Sequence, residues 1–480
     1  MLLDADQCYK ALTAHDARFD GRFFVGVAST RIYCRPVCTV RTPLRRNCHF
    51  YPSAAAAEAE GYRPCLRCRP ELAPGHAAVD ANRRLAQAAA GLIDDGRLAP
   101  EARLPELARA LGVTDRHLRR VFGDEFGVSP VEYAQTQRLL LAKRLLTDTG
   151  MPVIDVAMAS GFSSLRRFNH LFRTRYRMTP GALRRTAPAA ACDALTFDLA
   201  YRPPYDWDAM RDFLARRAVT GVEAVEGRRY LRTVRIERGG KPVTGWISVT
   251  PSKKPRALAV TASASLAGVL PAVLARAKQL FDLACHPDDI AACLGPLAQA
   301  HPGLRLPGAF DGFEIAVRAI LGQQVTVKAA AVIAGRFVAK FGTPVATPHA
   351  ALTHLFPAPE RIAALDPSEV AATGIIAARA KAIVALAAEI SAGRLGLDPG
   401  CDVEATLAAL EALPGIGPWT SHYIAMRALA WPDAFPHPDV AVLKAMKETD
   451  ARRAARDAER WRPWRAYAVL HLWKSLETKP

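Results

Sequence analysis

Two close cysteine pairs constrain this chain more than any other feature. Cys34-x3-Cys38 is followed, after 26 residues, by Cys65-x2-Cys68. Each pair can clamp an ion from one tight turn, and the loop between them brings the pairs together. The spacing predicts one Zn2+ held by Cys34, Cys38, Cys65 and Cys68, with the surrounding segment obliged to fold around it. Disulfides are the alternative, and they need an oxidising compartment. The opening residues MLLDADQCYK carry acids where a secretory signal needs bases. No run approaches the ~20 apolar residues of a membrane span. The chain is therefore expected in the cytoplasm, with no membrane partner and with its thiols reduced. Cys8, Cys48, Cys192, Cys285, Cys293 and Cys401 lack partners at ligand spacing and read as buried or incidental thiols. Cys48-His49 is an alternative ligand pair.

At 480 residues the chain is too long for one ordinary core, so two to four domains are expected. The net charge of +18 is unevenly spread. Residues 1–188 hold about 29 Lys and Arg against about 18 Asp and Glu, and Arg dominates. Such an excess points to a polyanion, nucleic acid being the commonest, with guanidiniums suited to phosphate and guanine. Residues from about 79 to 185 have helical periodicity and contain a repeat. Phe122, Phe126 and Pro130 recur as Phe172, Tyr176 and Pro180, each 50 positions on. Before each lies a helix-turn-helix pattern, LPELARALGVTDRHLRRVF (104–122) and IDVAMASGFSSLRRFNHLF (154–172). In the first, Gly112 permits the turn, Thr114 caps the second helix, and Leu118, Val121 and Phe122 pack it. Arg116, His117, Arg119 and Arg120 are left on the exposed face, matched in the second copy by Arg166, Arg167 and Asn169. A solvated basic hairpin would look the same in one copy. Two copies at fixed spacing can read consecutive major-groove faces.

The stretch 186–194, TAPAAACDA, reads as a linker. Beyond it, YLRTVRI (230–236) and GWISVT (245–250) alternate like strands around a Gly239-Gly240 turn. From about Pro307 the chain is Ala- and Leu-rich and helical. Within it, LPGIGPWTSHYIA (413–425) has the form of a helix-hairpin-helix, with Gly415 and Gly417 letting backbone amides approach a phosphate. About twenty residues on, Asp439 opens an apolar helix, where spacing alone favours an N-cap role. The predicted fold class is multidomain α+β. A small zinc-bound α/β domain (1–78) and an all-α double helix-turn-helix domain (79–188) come first. A small antiparallel sheet domain (193–300) and an all-α helix-hairpin-helix domain (301–480) complete the chain.

These strings carry resemblances. FFVGVASTRIYCRPVC and GYRPCLRCRP resemble the N-terminal domain of the Ada adaptive-response proteins, and the repeat resembles the AraC-family DNA-binding domain. RPPYDWDAM (202–210), PGLRLPGAFDGFEIAVRAILGQ (302–323), the hairpin and AERWRPWRAYAVLHLW (458–473) resemble AlkA-type 3-methyladenine DNA glycosylases. The Ada resemblance implies that Cys34 accepts a methyl group from a methylated DNA phosphate, as a thiolate kept nucleophilic by zinc. Arg35, Arg41, Arg45, Arg46 and Arg69 are then expected backbone contacts. The AlkA resemblance makes Asp439 the catalytic carboxylate of hydrolytic base excision and places Phe213, Trp419, Tyr423 and Trp473 in the cleft. Read without it, these aromatics are core.

Trp419 stands where bifunctional hairpin glycosylases carry a Schiff-base lysine, so excision without strand cleavage is expected. Gln324 replaces an apolar wedge, and Val440 and Lys474 replace cleft tyrosines, which leaves the lesion range open. No Pro-Cys-His-Arg motif of an O6-methylguanine methyltransferase is present. The expectation is a bacterial, nucleoid-associated alkylation sensor and activator joined to a working glycosylase. Its partners would be double-stranded DNA, at alkylated and operator sites, and RNA polymerase. The rivals are a regulator that holds damaged DNA without excising bases and a zinc-braced structural DNA binder.

Overall fold

The computed structural model describes residues 5–15, 19–20, 23–51, 54–70, 78–94, 104–148, 150–184, 193–238, 240–437 and 439–477. The chain forms two compact units, residues 1–90 with 104–130, and residues 91–103 with 131–480. The two helix-turn-helix repeats therefore fall in different units, and the block read as 79–188 is divided between them.

In the first unit, four short strands make one sheet in the order β3-β1-β2-β4. They are β1 (Phe24–Val27), β2 (Ile32–Cys34), β3 (Cys48–Tyr51) and β4 (Arg63–Pro64). β2 runs antiparallel to β1 but parallel to β4, with Tyr33 opposite Pro64. That pairing delivers Cys34 and Cys65 side by side from the ends of neighbouring strands. Gly26 is required where it stands, because a Cβ there would lie 2.7 Å from Tyr51 and 2.9 Å from Tyr62. One sheet face buries Phe23, Val25 and Cys48 with Cys8 and Leu12 of the helix Ala5–Thr13. The other buries Phe24, Tyr33, Ala57 and Tyr62. The first repeat, helices Leu104–Ala110 and Asp115–Phe126, turns at Gly112 with φ +67°. Thr114 Oγ1 accepts from the His117 amide at 3.3 Å, and Leu118, Val121 and Phe122 are buried, as the pattern requires.

In the second unit, helices Val153–Ala159 and Leu165–Tyr176 repeat that geometry, with Ser164 capping at the Arg167 amide. The linker residues 186–192 lie outside the described residues, and Ala194 already opens β5 (Ala194–Ala200). β6 (Glu223–Glu226), β7 (Arg229–Arg238), β8 (Lys241–Pro251) and β9 (Ala257–Ser263) complete an antiparallel sheet in the order β5-β9-β8-β7-β6. Leu145, Phe168 and Phe172 share one core with Phe197, Val249 and Val260 of this sheet. That shared burial is why the second repeat groups with the sheet and not with the first repeat.

The five-stranded sheet ends at Ser263, and a two-stranded ribbon, Thr343–Pro344 with His354–Leu355, follows later in the chain. Residues 270–299 are largely helical, and Ile290, Leu294 and Ala298 pack with Phe435 and Leu472 near the C-terminus. The sheet is tied to helix Gly312–Leu321 by buried ions. Arg232 pairs with Glu314 at 2.7 Å, and Arg318 pairs with Glu223 at 2.8 Å and Glu314 at 2.9 Å. Losing one member of such a set leaves an uncompensated buried charge, a cost of about 3–5 kcal/mol. No described helix is long and apolar enough to cross a membrane.

Candidate functional site

The Sγ atoms of Cys34, Cys38, Cys65 and Cys68 all lie within 4.8 Å of one another. Sulfurs around tetrahedral zinc sit ~2.3 Å from the ion and so ~3.8 Å apart, which this cluster can meet. The chemistry of the donors also calls for a cation. Four buried cysteine sulfurs crowded into one site are the soft donor set that Zn2+ takes. Cys48 is not part of the cluster; its thiol faces the Leu44 carbonyl at 3.4 Å. Cys34 is 5% exposed and borders a small recess with Leu12, Val25, Val27, Cys38 and Val40.

One expected DNA contact is corrected. Arg35 is fully buried, at 0% exposure. Its Nε donates to Asp20 Oδ1 at 2.8 Å, its Nη2 pairs with Asp20 Oδ2, and its Nη1 donates to the Cys68 carbonyl at 3.2 Å. A guanidinium committed inward to a carboxylate and a ligand's backbone braces the metal knuckle and cannot reach a phosphate. Arg41, Arg46 and Arg69 are exposed. Arg45 is half-buried, lies over the rings of Tyr9 and Phe50, and pairs with Asp6 at 3.1 Å. In the first repeat Arg116, Arg119 and Arg120 are exposed while His117 is half-buried; in the second Arg166 and Arg167 are exposed and Asn169 is half-buried.

In the second unit, the helix Val403–Glu411 and the helix Pro418–Arg427 flank the hairpin. Gly415 takes φ +79°, a left-handed turn that other residues adopt only with strain. Gly417 has ordinary backbone angles, and a Cβ there would meet nothing within 4 Å. Among the described residues neither amide has an intrachain partner, so both are free to meet a phosphate oxygen. Gln323 braces the turn, donating to the Gly415 carbonyl at 2.8 Å and to Thr420 Oγ1 at 2.9 Å. Its neighbour Gln324 is exposed with φ +54°, held off any regular element.

Asp439 is half-buried and is the hub of the cleft. Oδ1 accepts from the Val442 amide at 2.9 Å, capping helix Val440–Met446. The same carboxylate accepts the indole N–H of Trp419 at 2.8 Å and of Trp473 at 3.1 Å. The cap reading and the catalytic reading thus concern one group: the cap fixes its position and the indoles aim it. Trp419 stacks on Tyr423 with ring centroids 5.3 Å apart and planes 13° apart, and Tyr423 lies 6.4 Å from Trp473.

Arg427 donates to the Tyr423 hydroxyl at 2.7 Å. Burial alone would raise that phenol, but Arg427, Arg217 and Arg318 outweigh it and hold it below its ordinary range. Phe213 is only 6% exposed, with the guanidiniums of Arg217 and Arg427 at 3.7 Å and 5.1 Å from its ring. It is a wall of the cleft more than an open platform. Val440 is 79% exposed, and Lys474 pairs with Glu477 at 3.0 Å. Arg217 and Arg318 beside Tyr423, and Asp20 beneath the metal knuckle, are not signalled by spacing, since each acts across more than ten residues of sequence; Arg427, four residues from Tyr423 on the same helix, is at a spacing that could have signalled it.

Comparison with known proteins gives matches along most of the chain. Residues 7–71 match the metal binding domain of Ada, 107–186 a helix-turn-helix domain, 196–311 the AlkA N-terminal domain, and 317–463 the HhH-GPD superfamily of base excision DNA repair proteins. A relative in Mycobacterium tuberculosis, a probable bifunctional transcriptional activator/DNA repair enzyme AlkA, is 40% identical over 99% of this chain and 97% of its own. DNA-3-methyladenine glycosylase 2 of Escherichia coli is 38% identical over 58% of this chain and 96% of its own. The 3-methyladenine DNA-glycosylase of Archaeoglobus fulgidus, a solved structure, shares the fold at TM-score 0.51 and 19% identity, covering 59% of this chain and 99% of that one.

Proposed function

This chain belongs to the family of bifunctional proteins that join an Ada-type activator to an AlkA-type repair enzyme, and we propose that it senses DNA methylation at Cys34 and excises alkylated bases at Asp439. The single observation that carries the second half is the Asp439 carboxylate, held by a helix cap and two indole N–H groups at the edge of stacked aromatics.

At the metal centre, Cys34, Cys38, Cys65 and Cys68 hold Zn2+, which keeps the sulfurs as thiolates at neutral pH. Cys34 Sγ attacks the methyl carbon of a DNA methylphosphotriester. The S–C bond forms, the C–O bond breaks, and the leaving group is the phosphodiester anion. The product thioether is stable, so the transfer occurs once per protein.

In the glycosylase half, the hairpin amides take a phosphate and the damaged nucleotide leaves the duplex. Trp419, Tyr423 and Trp473 stack on the extruded base, and a cationic base such as 3-methyladenine gains from electron-rich rings. Gln324 fills the vacated stack. Asp439 stabilises the sugar as positive charge develops and orients water for attack at its anomeric carbon. An indole at 419 cannot form a Schiff base, so the DNA strand is left uncut.

Arg116, Arg119, Arg120, Arg166 and Arg167 provide the operator-reading faces, with RNA polymerase as the partner of an activator. Labour is divided as 1–78 for methyl acceptance, 79–188 for operator reading, and 193–300 with 301–480 for excision, in the cytoplasm at the nucleoid. One experiment tests both chemistries. The protein is incubated with methylated DNA, its mass is measured, and released bases are analysed. A gain of one methyl that Cys34→Ser abolishes, with 3-methyladenine or 7-methylguanine in the supernatant, is expected. No methyl on Cys34, or no released base, overturns the corresponding half. Strand cleavage trapped by borohydride overturns the monofunctional reading.

A further inference from the structure

The segment leading to Asp439 is gripped twice by one helix. In Pro418–Arg427, Trp419 Nε1 donates to Asp439 Oδ2 at 2.8 Å. One turn later, His422 Nδ1 accepts the Phe435 amide at 3.3 Å. Residues three apart share a helix face, so both clamps point at the same stretch of chain. Between them the segment folds on itself, the His437 amide reaching the Phe435 carbonyl at 2.8 Å and the Asp439 amide the Pro436 carbonyl at 2.9 Å. Phe435 is 2% exposed and packs in the core that holds Ala434, Trp461 and Leu472. Its amide is thus a fixed anchor.

We propose that His422 is a positioning residue, which keeps Asp439 at the cleft by accepting the Phe435 amide and lets the segment go when its Nδ1 is protonated. The inference rests on the assignment of Asp439 as the catalytic carboxylate. A nitrogen that accepts cannot carry a proton, so the hydrogen bond selects the neutral imidazole with its proton on Nε2.

The surroundings favour that form. The ring lies 5.6 Å from Trp431 and 6.3 Å from His437. The charged groups that bear on it are Glu411 on the preceding helix, Asp433 after the hairpin helix, and Arg465 on the C-terminal helix. Burial, then His437, dominate this set and hold the imidazole down to about 4. The clamp is therefore intact at neutral pH and fails on acidification.

The test uses the full chain and single-turnover release of 7-methylguanine from duplex DNA across pH. His422→Leu removes the acceptor, and His422→Gln keeps an acceptor that does not titrate. His422→Leu is expected to lower the rate about tenfold at neutral pH while DNA affinity stays within about twofold, the signature of a displaced catalytic group. His422→Gln is expected to restore most of the rate and to lose the part of the acid limb that wild type shows. Equal rates and pH profiles in His422→Leu and wild type overturn the proposal, as does a His422→Gln variant with the full wild-type acid limb. Amide exchange across residues 433–437 provides a readout free of activity, with faster exchange expected in His422→Leu and unchanged exchange overturning the clamp. If Asp439→Asn excises as well as wild type, the catalytic assignment fails by itself, and the exchange measurement alone decides what His422 holds.

Discussion

Replacing Asp439 by Asn separates what this side chain does for the fold from what it does for the reaction. Asn is as good an N-cap as Asp, so the bond from the Val442 amide survives. The change falls on one of the two indoles. With the cap kept on Oδ1, Trp473 Nε1 still meets an oxygen, while Trp419 Nε1 faces an amide NH2 where Oδ2 stood. One half-buried N–H loses its acceptor, a cost of about 1–3 kcal/mol. The reaction loses more. A carboxylate about 4 Å from a developing sugar cation, at an effective dielectric near 20, contributes roughly 4 kcal/mol. That corresponds to a rate loss of about a thousandfold. The assay is single-turnover release of 3-methyladenine or 7-methylguanine, run beside thermal unfolding of the same preparations. A thousandfold loss with a melting shift of a few degrees fits the assignment. Excision within about tenfold of wild type would refute it and leave Asp439 as a helix cap, in a regulator that only holds damaged DNA.

The hairpin glycines should separate in the same way. Gly417→Ala meets open space in the free protein, so its stability should be unchanged while affinity for lesion DNA falls, whereas Gly415→Ala should cost about 1 kcal/mol in urea unfolding because of its positive φ. Four thiolates on Zn2+ sum to −2, and methylating Cys34 leaves −1, so the methylated protein should bind undamaged DNA several-fold more tightly at low salt, with the difference fading as salt is raised. Replacing any one of Arg116, Arg119, Arg166 or Arg167 by Ala should lower the slope of log affinity against log salt by about one when that residue contacts a phosphate. Burial, then His301, holds the His471 imidazole down to about 4, so the unfolded chain binds its proton first as pH falls. Stability should accordingly drop by about 2 kcal/mol from pH 8 to pH 5 on this account, and His471→Gln should remove that share of the urea-midpoint shift.

Features that depend on neighbours in sequence are legible in the sequence alone. Cys34, Cys38, Cys65 and Cys68 are spaced for one ion, and the strand register that places Tyr33 opposite Pro64 only completes what the spacing requires. Thr114 and Gly112 act within one turn of the helices they shape. Arg35 shows where this reasoning stops. It sits in an Arg-rich stretch and reads as one more phosphate contact. What decides otherwise is Asp20, fifteen residues earlier in a stretch without periodicity, together with the backbone of Cys68. Local charge cannot tell a solvated guanidinium from one turned inward, because that difference is made by tertiary contact.

The cleft carries the same lesson further. Asp439 is readable as a cap from its own helix, and as a catalyst only through resemblance to a family, so in sequence the two readings compete. In the structure one carboxylate caps its own helix and also accepts from Trp419 of the hairpin helix and Trp473 of the C-terminal helix. A cap gives the carboxylate a fixed origin, and the indoles fix its plane, so the chemistry proposed for Asp439 would use a group whose position the fold has already determined. The same logic extends outward to Arg427 on Tyr423 and His422 on Phe435. The first is a contact one turn along a single helix and the second reaches from that helix to a loop, where periodicity gives no sign of it. Sequence pattern thus identifies the elements of such a site, and the hydrogen bonds between elements determine which of their side chains can act together.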